Sequence, residues 1–254
     1  MVFELSDTSK VEAIYAGWQD TMIYSCLQRV MGRIYVTDID APQSALAVIG
    51  DFRFLAGVPE KELIMKAAGA AGLIVPRDES WAELIETCLP GAEKKFRYAI
   101  RKDTVFDRER LKSFSGSLPE GYELRRIDSA LYDRCLENAF SADFVRVFET
   151  KEAFLKLGRG FVVLKGNEIV SGASSYTRYI EGIEIEVDTL VSERRKDLAT
   201  AVCAALILSC LDDGLYPSWD AMTKISVHLA EKLGYEFDHE YAVYEVKQYK
   251  SLHE

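Results

Sequence analysis

The sequence predicts an α/β (α+β) chain built in two parts. Three observations carry this. Apolar segments of helical period alternate with short strand-like runs along all 254 residues. The C-terminal half reads strand, two helices, three strands, helix, strand, helix, strand. Between the halves, "SFSGSLPEGYE" at 113–123 gathers Ser, Gly and Pro, a loop signal that places a domain boundary near Leu118. The expected units are 1–118, a smaller mixed α/β domain, and 119–254, a mixed central sheet flanked by helices.

The first unit opens on a helix over about residues 9–31, since Val11, Ile14, Tyr15, Trp18, Met22 and Leu27 recur near helical spacing. "RIYVTDI" is a strand, and "SALAVIGDFRFLAG" is two strands turning at Gly50-Asp51. A helix starts at Pro59, a residue suited to a first helical turn. "GLIVP" is a short buried strand, "ESWAELIETCL" a helix, and "KKFRYAIRKD" a strand with one wet face. Trp18, Tyr24 and Gln28 are either core or the lining of a pocket.

The second unit begins with the strand "YELRRID", after which Asp128 or Ser129 caps a helix. "TKEAFLKLG" is a helix that stops at Gly158. "GFVVLKGNEIVSGASSYTRY" is a hairpin turning at Gly166-Asn167. "IEIEVDTLV" is a strand, and "RRKDLATAVCAALILSCLDDG" a long buried helix ended by Gly214. "YPSWDA" is a short strand, "TKISVHLAEKLGY" a helix, and "AVYEVK" the last strand.

Composition narrows the function classes. The net charge of −10 disfavours non-specific binding to nucleic acid or anionic membranes. No run of eighteen apolar residues offers a membrane span, and the first residues lack the pattern of a signal peptide. The five cysteines and three histidines show no metal-ligand spacing, so no metal is expected. Cys203 and Cys210 read as buried free thiols, which suits a reducing, cytoplasmic compartment.

Two motifs in the second unit carry chemistry. Arg194, Arg195, Lys196, Asp197, Leu198 and Ala199 stand between a strand and an apolar helix, and "TKISVHLAEKLGY" closes the next helix. With the element order, these resemble the GNAT N-acetyltransferase superfamily. There the turn reads Q/R-x-x-G-x-G/A, and the later helix reads N-x-x-A/S-x-x-L-Y-E-K-x-G-F. The pairing with "YPSWDA" is similar to the two-domain zwittermicin-resistance-type acetyltransferases, in which an N-terminal domain would help form the acceptor pocket. The resemblance implies acetyl-CoA as co-substrate. Its pyrophosphate would sit on the helix N-terminus around Arg194–Thr200, helped by Thr223. Its pantetheine arm would lie along the strand ending at Thr189, Leu190 and Val191. Three positions depart from the pattern: Asp197 replaces glycine, Thr223 replaces asparagine, and Ala230 replaces the tyrosine that protonates the thiolate. Ser226 or Tyr235 is the candidate substitute for that acid.

Strand alternation puts Glu184, Glu186 and Asp188 on one face. This face is either solvated surface or the base side of an amine acetylation. Glu186 is the first candidate base and Glu184 the second. Packing is the bland role for Trp219, and Asp220 is a candidate cap for the helix after it. The expected activity is therefore acetyl-CoA-dependent N-acetylation of a small-molecule or peptide amine; a homodimer is an assembly the sequence admits. The alternative is a GNAT-like binding module without turnover, which Asp197 and Ala230 favour.

Overall fold

The long N-terminal helix expected over 9–31 is not one helix. In the computed structural model, which describes residues 1–247, a 3-10 turn (Thr8–Val11) leads into α1 (Glu12–Tyr15), and α2 (Thr21–Leu27) starts anew. Gly17 breaks the run with φ +74°, and the Asp20 carboxylate caps α2 by accepting from the Met22 amide. The apolar spacing still does its work, because Val11, Tyr15 and Met22 are all buried.

A two-residue strand, β1 (Phe3–Glu4), precedes these helices. After them come β2 (Arg33–Val36), β3 (Ser44–Ile49), β4 (Phe52–Gly57), α3 (Lys61–Ala67), β5 (Gly72–Pro76), α4 (Glu79–Cys88) and β6 (Glu93–Ile100). Then follow α5 (Arg108–Ser115), β7 (Tyr122–Arg126), α6 (Ser129–Leu136), α7 (Ala139–Ala142), α8 (Lys151–Leu157), β8 (Gly160–Lys165), β9 (Glu168–Tyr179) and β10 (Gly182–Thr189). A 3-10 turn (Val191–Glu193) leads to α9 (Leu198–Asp212), β11 (Tyr216–Ser218), β12 (Asp220–Ala221), α10 (Lys224–Leu233) and β13 (Phe237–Val246).

The chain divides into two compact units. One takes Met1–Arg97 and the returning segment from Glu240, and the other Tyr98–His239. The division thus falls within β6 and β13, not near Leu118. The Ser-Gly-Pro stretch misleads because it follows a helix that belongs to the second unit. Asp107 caps α5 through the Glu109 and Arg110 amides, and Leu111 is buried in the core built on α9, with Leu118 packed against it. A loop-rich composition marks a turn there, not a linker.

In the first unit the strand order is β1-β2-β3-β4-β5-β13-β6, antiparallel from β1 to β4 and between β5 and β13, with β4 and β5 parallel. Leu46, Leu55, Leu63, Ile64, Ile74, Trp81 and Tyr244 form its core. In the second unit the order is β7-β8-β9-β10-β11, with only β10 and β11 parallel. The 15-residue α9 covers one face and is apolar nearly all round, so it sits buried among Val170, Ala173, Ile183, Ile185 and Trp219. On the opposite face the ring of Phe144 lies where a Cβ on Gly172 would stand, 2.4 Å away, so only glycine fits there.

One element order occurs twice along the chain, from β1 to β6 and again from β7 to β13: strand, helices, three antiparallel strands, helix, a strand parallel to the third, helix, strand, with β12 added before the last helix of the second pass. This repeat is not apparent from residue identities, because what recurs is the order of elements. Only the second unit carries a basic turn before its crossover helix. In the first, α3 has seven residues and follows Val58, Pro59 and Glu60. Trp18 there is packing material, edge-on to Phe54 with the Arg77 guanidinium over its ring.

Candidate active site

The parallel pairing of β10 with β11 runs Gly182↔Tyr216, Ile183↔Pro217, Glu184↔Ser218 and stops there. β10 continues to Thr189, whereas the other chain turns at Trp219 so that Asp220 and Ala221 pair with β6. The strands therefore part at Glu184 and Ser218. "YPSWDA" is two short strands serving two neighbours, not one. Trp219 at the turn is 2% exposed, lies tilted at 57° to the Tyr235 ring, and donates its indole N–H to Ser226 Oγ at 3.1 Å. Its role is packing. Thr223, not Asp220, caps α10, accepting from the Ser226 amide at 3.2 Å.

Along β10 the alternation holds. Ile183, Ile185 and Val187 pack into the α9 core, and Glu184, Glu186 and Asp188 take the other face. The three acids grade in depth: Glu184 is 4% exposed, Glu186 half-buried and Asp188 exposed. A bulge in β9 leaves Tyr176 extra, so that Ser175 faces Ile185 and Thr177 faces Glu184.

After β10 the backbone is occupied locally. The Thr189 amide donates to Asp188 Oδ1 at 2.7 Å and the Leu190 amide to the Val170 carbonyl at 2.9 Å. The Thr189 carbonyl accepts from Arg194 Nε, and the Leu190 carbonyl from the Glu193 amide. The Thr189 side chain is bonded to Ser171 at 2.7 Å, and Val191 is exposed. Thr189 and Leu190 thus spend their amides within the chain. A strand-like partner would meet β10 earlier, between Ile185 and Asp188.

The turn into α9 contains two left-handed residues, Arg195 at φ +62° and Asp197 at φ +59°. That conformation is costly for a residue with a Cβ, least so for Asp and Asn, and free for glycine. The glycine of the family pattern thus has a conformational reason at position 197 as well as a steric one. Asp197 occupies the N-cap position but makes no side-chain cap. No side chain therefore takes the first amides of α9, at Leu198, Ala199 and Thr200, and the positive end of the helix dipole lies there. Leu198 and Thr200 are buried behind it.

The three cations are not equivalent. Arg194 leans back on the Thr189 carbonyl and Asp188. Lys196 bonds Glu193 at 2.6 Å and the Tyr122 hydroxyl at 3.0 Å. Among the described residues Arg195 has no hydrogen bond or ion pair. The Asp197 carboxylate is met by Lys232 of α10 at 2.6 Å. Sequence reading missed this partner, although the K of the later motif was its signal. It also missed Glu193. That carboxylate is buried and receives Lys196, Tyr122 and Lys165, contacts that hold it down to about 2.

A carboxylate held this low supports the fold fully above its ordinary value of 4.5 and loses that support as the pH falls toward 2. Glu193→Gln is expected to lower the melting temperature at neutral pH. The gap from the parent should close between about pH 5 and pH 2. A gap independent of pH in thermal melts would mean that the effect is packing alone.

The expected stand-ins for the missing tyrosine are already engaged. Tyr235 is buried and donates to the Pro217 carbonyl at 2.5 Å, and burial pushes its hydroxyl well above the ordinary range. Ser226 holds Trp219, and Ala230 is fully buried in the α9 core. Tyr235 and Ala230 therefore present no acid at this site, whereas Ser226 only accepts from Trp219 and keeps its own hydroxyl proton. Burial holds four of the five thiols protonated: it raises Cys26, Cys135 and Cys210 to about 12 and raises Cys203 as well. Among the described residues no cluster of His, Cys, Asp and Glu has metal-site geometry, and no helix is long and apolar enough to cross a membrane.

Known proteins share this architecture over the whole chain. A GCN5-related N-acetyltransferase-like protein from Streptococcus suis 89/1591 superposes with a TM-score of 0.92 at 46% identity, covering 95% of this chain and 98% of that one. The uncharacterized N-acetyltransferase YdfB of Bacillus subtilis (strain 168) is 30% identical over 244 residues, 88% of this chain and 89% of its own. A tandem GNAT protein from the clavulanic acid biosynthesis pathway shares the fold at 10% identity, with a TM-score of 0.59 over 99% of this chain. The GNAT acetyltransferase family model matches residues 12–244. With a family model matched over most of its length and a relative 30% identical over 88% of it, the chain belongs to the GNAT acetyltransferase family.

Proposed function

We propose that this protein transfers the acetyl group of acetyl-CoA to an amine of a small molecule or peptide. The observation that carries this is the end of β10–β11 pairing at Glu184 and Ser218, followed by a turn into a helix whose first amides no side chain caps. The opening supplies strand-edge groups between Ile185 and Asp188 for an extended arm, and the helix start suits a pyrophosphate. Arg195 is the cation with no partner to leave. The net charge of −10 argues for a small acceptor over a nucleic acid. Similarity to zwittermicin-resistance-type enzymes adds amine antibiotics to the acceptors worth testing.

In this reading the acceptor nitrogen attacks the thioester carbon, a C–N bond forms and the C–S bond breaks. The half-buried Glu186 takes the proton that nitrogen loses, with Glu184 behind it. The leaving thiol needs little acid help, because its ordinary pKa is about 8.5. That fits a site in which Ala230 and Tyr235 supply none.

Calorimetry with acetyl-CoA, followed by thiol release on adding a panel of amines, tests the proposal. Saturable binding and amine-dependent thiol release are expected. Absence of binding overturns it. Binding without release from any amine favours the second reading, a ligand-binding module, for which the engaged Tyr235 and the buried Ala230 speak.

A further inference from the structure

The face that carries Glu184 and Glu186 also carries three hydroxyls with nothing to bond. Thr177 of β9 and Ser218 of β11 are the cross-strand partners of Glu184, one on each side, and Ser174 is the partner of Glu186. In-register partners share a face, so the five side chains form one patch where β10 and β11 part. Ser174, Thr177 and Ser218 are each fully buried, and Ser174 Oγ, Thr177 Oγ1 and Ser218 Oγ have no hydrogen-bond partner within the protein.

Elsewhere β9 satisfies its hydroxyls. Ser171 is bonded to Thr189 at 2.7 Å, and Ser175 accepts from the Arg159 amide at 2.8 Å. On β9 the bare ones, Ser174 and Thr177, are those that face the two glutamates. A buried hydroxyl without a partner is costly, and buried polar groups are ordinarily completed by water making two to four bonds. Residues two apart on a strand are separated by about 7 Å. That backbone spacing leaves room for a water to bridge the two carboxylates.

We propose that Ser174, Thr177 and Ser218 hold ordered water between Glu184 and Glu186, and that this water carries the acceptor's proton from the half-buried carboxylate to the buried one. The proton path rests on the acetyl-transfer reading above. The proton leaves the acceptor nitrogen for Glu186. Glu186 passes a proton to the water, which releases another to Glu184, so no water is consumed. The three hydroxyls are positioning residues: they touch the water, not the substrate.

A crystal structure of the full chain at a resolution that shows ordered solvent tests the hydration. Kinetics of Thr177→Val, Thr177→Ser and Ser218→Ala test the proton path. Density for water within hydrogen-bond reach of at least two of the three hydroxyls is expected. Thr177→Val, which keeps the shape, and Ser218→Ala should lower kcat roughly 3- to 10-fold with the KM for acetyl-CoA unchanged. Thr177→Ser, which keeps the hydroxyl, should restore kcat. A dry patch, with Thr177→Val melting higher than the parent, overturns the hydration. Water present with kcat intact in both Thr177→Val and Ser218→Ala overturns the proton path. A parent chain that binds no acetyl-CoA removes the reaction and with it the path, while density and melting still decide the hydration.

Discussion

Glu186→Gln is expected to lower the rate of acetyl transfer about 10²-fold and to leave acetyl-CoA affinity unchanged. The substitution keeps volume and hydrogen-bonding reach but removes the ability to take a proton. Glu186 is half-buried, one pleat beyond the point where β10 and β11 part, between a buried acid and an exposed one. It is thus deep enough to be shielded and shallow enough to meet an acceptor. A 10²-fold loss corresponds to about 2.7 kcal/mol of transition-state stabilisation, within the range of a general base. Because the strand's other face does the packing, the variant should fold and melt like the parent. Steady-state kinetics over a pH series and calorimetry separate the outcomes. An equal fall in kcat and kcat/KM fits a base. A rate unchanged at every pH moves the role to Glu184 or to solvent, and a raised Kd for acetyl-CoA makes Glu186 a binding residue instead.

The periodicities that survive in the structure are those in which side chains alone decide burial. The Ile183-Ile185-Val187 alternation and the all-apolar α9 were legible because each sets one face toward one core. The first helix was not, since its apolar spacing continues through Gly17 and Asp20, where backbone freedom and a capping carboxylate end it locally. The Ser-Gly-Pro stretch near Leu118 carries real turn chemistry, but Leu111 before it is anchored under α9, and only tertiary packing reveals that. At the site, identity and order placed the turn, the acidic face and the later helix. They did not reveal pairing across distance. The Lys232–Asp197 and Tyr122–Glu193 contacts join residues 35 and 71 positions apart; the later motif marks Lys232 but not what it meets, and no local pattern marks the second pair.

Asp197→Gly is expected to tighten CoA binding about tenfold and to leave stability nearly unchanged. From the sequence alone, a glycine in a first helical turn should cost the helix about 1 kcal/mol. The φ of +59° reverses that sign, because the position is left-handed and glycine adopts it without strain. Against this relief stands the loss of the Lys232 ion pair, whose side chains are 40% and 69% exposed and whose worth at a surface is about 0–1 kcal/mol. The two nearly cancel. For a bound pyrophosphate the bare carboxylate at about 5 Å would be repulsive by about 1 kcal/mol in water and about 3 kcal/mol at an effective dielectric of 20. Lys232 already offsets part of that charge, so the gain falls in the lower half of this span, near the 1.4 kcal/mol of a tenfold change. Lys232→Met makes the opposite change: it leaves Asp197 uncompensated at the helix start and should weaken CoA binding by a similar factor. Calorimetry on both variants and on the double mutant, with melts alongside, tests the account. If Lys232 acts on the ligand mainly by screening Asp197, then Lys232→Met should matter less once Asp197 is gone. Equal losses in both backgrounds would mean that Lys232 meets the anion itself. If neither single variant shifts CoA affinity, the turn does not seat the pyrophosphate, and its left-handed aspartate serves the packing of α9 against α10 alone.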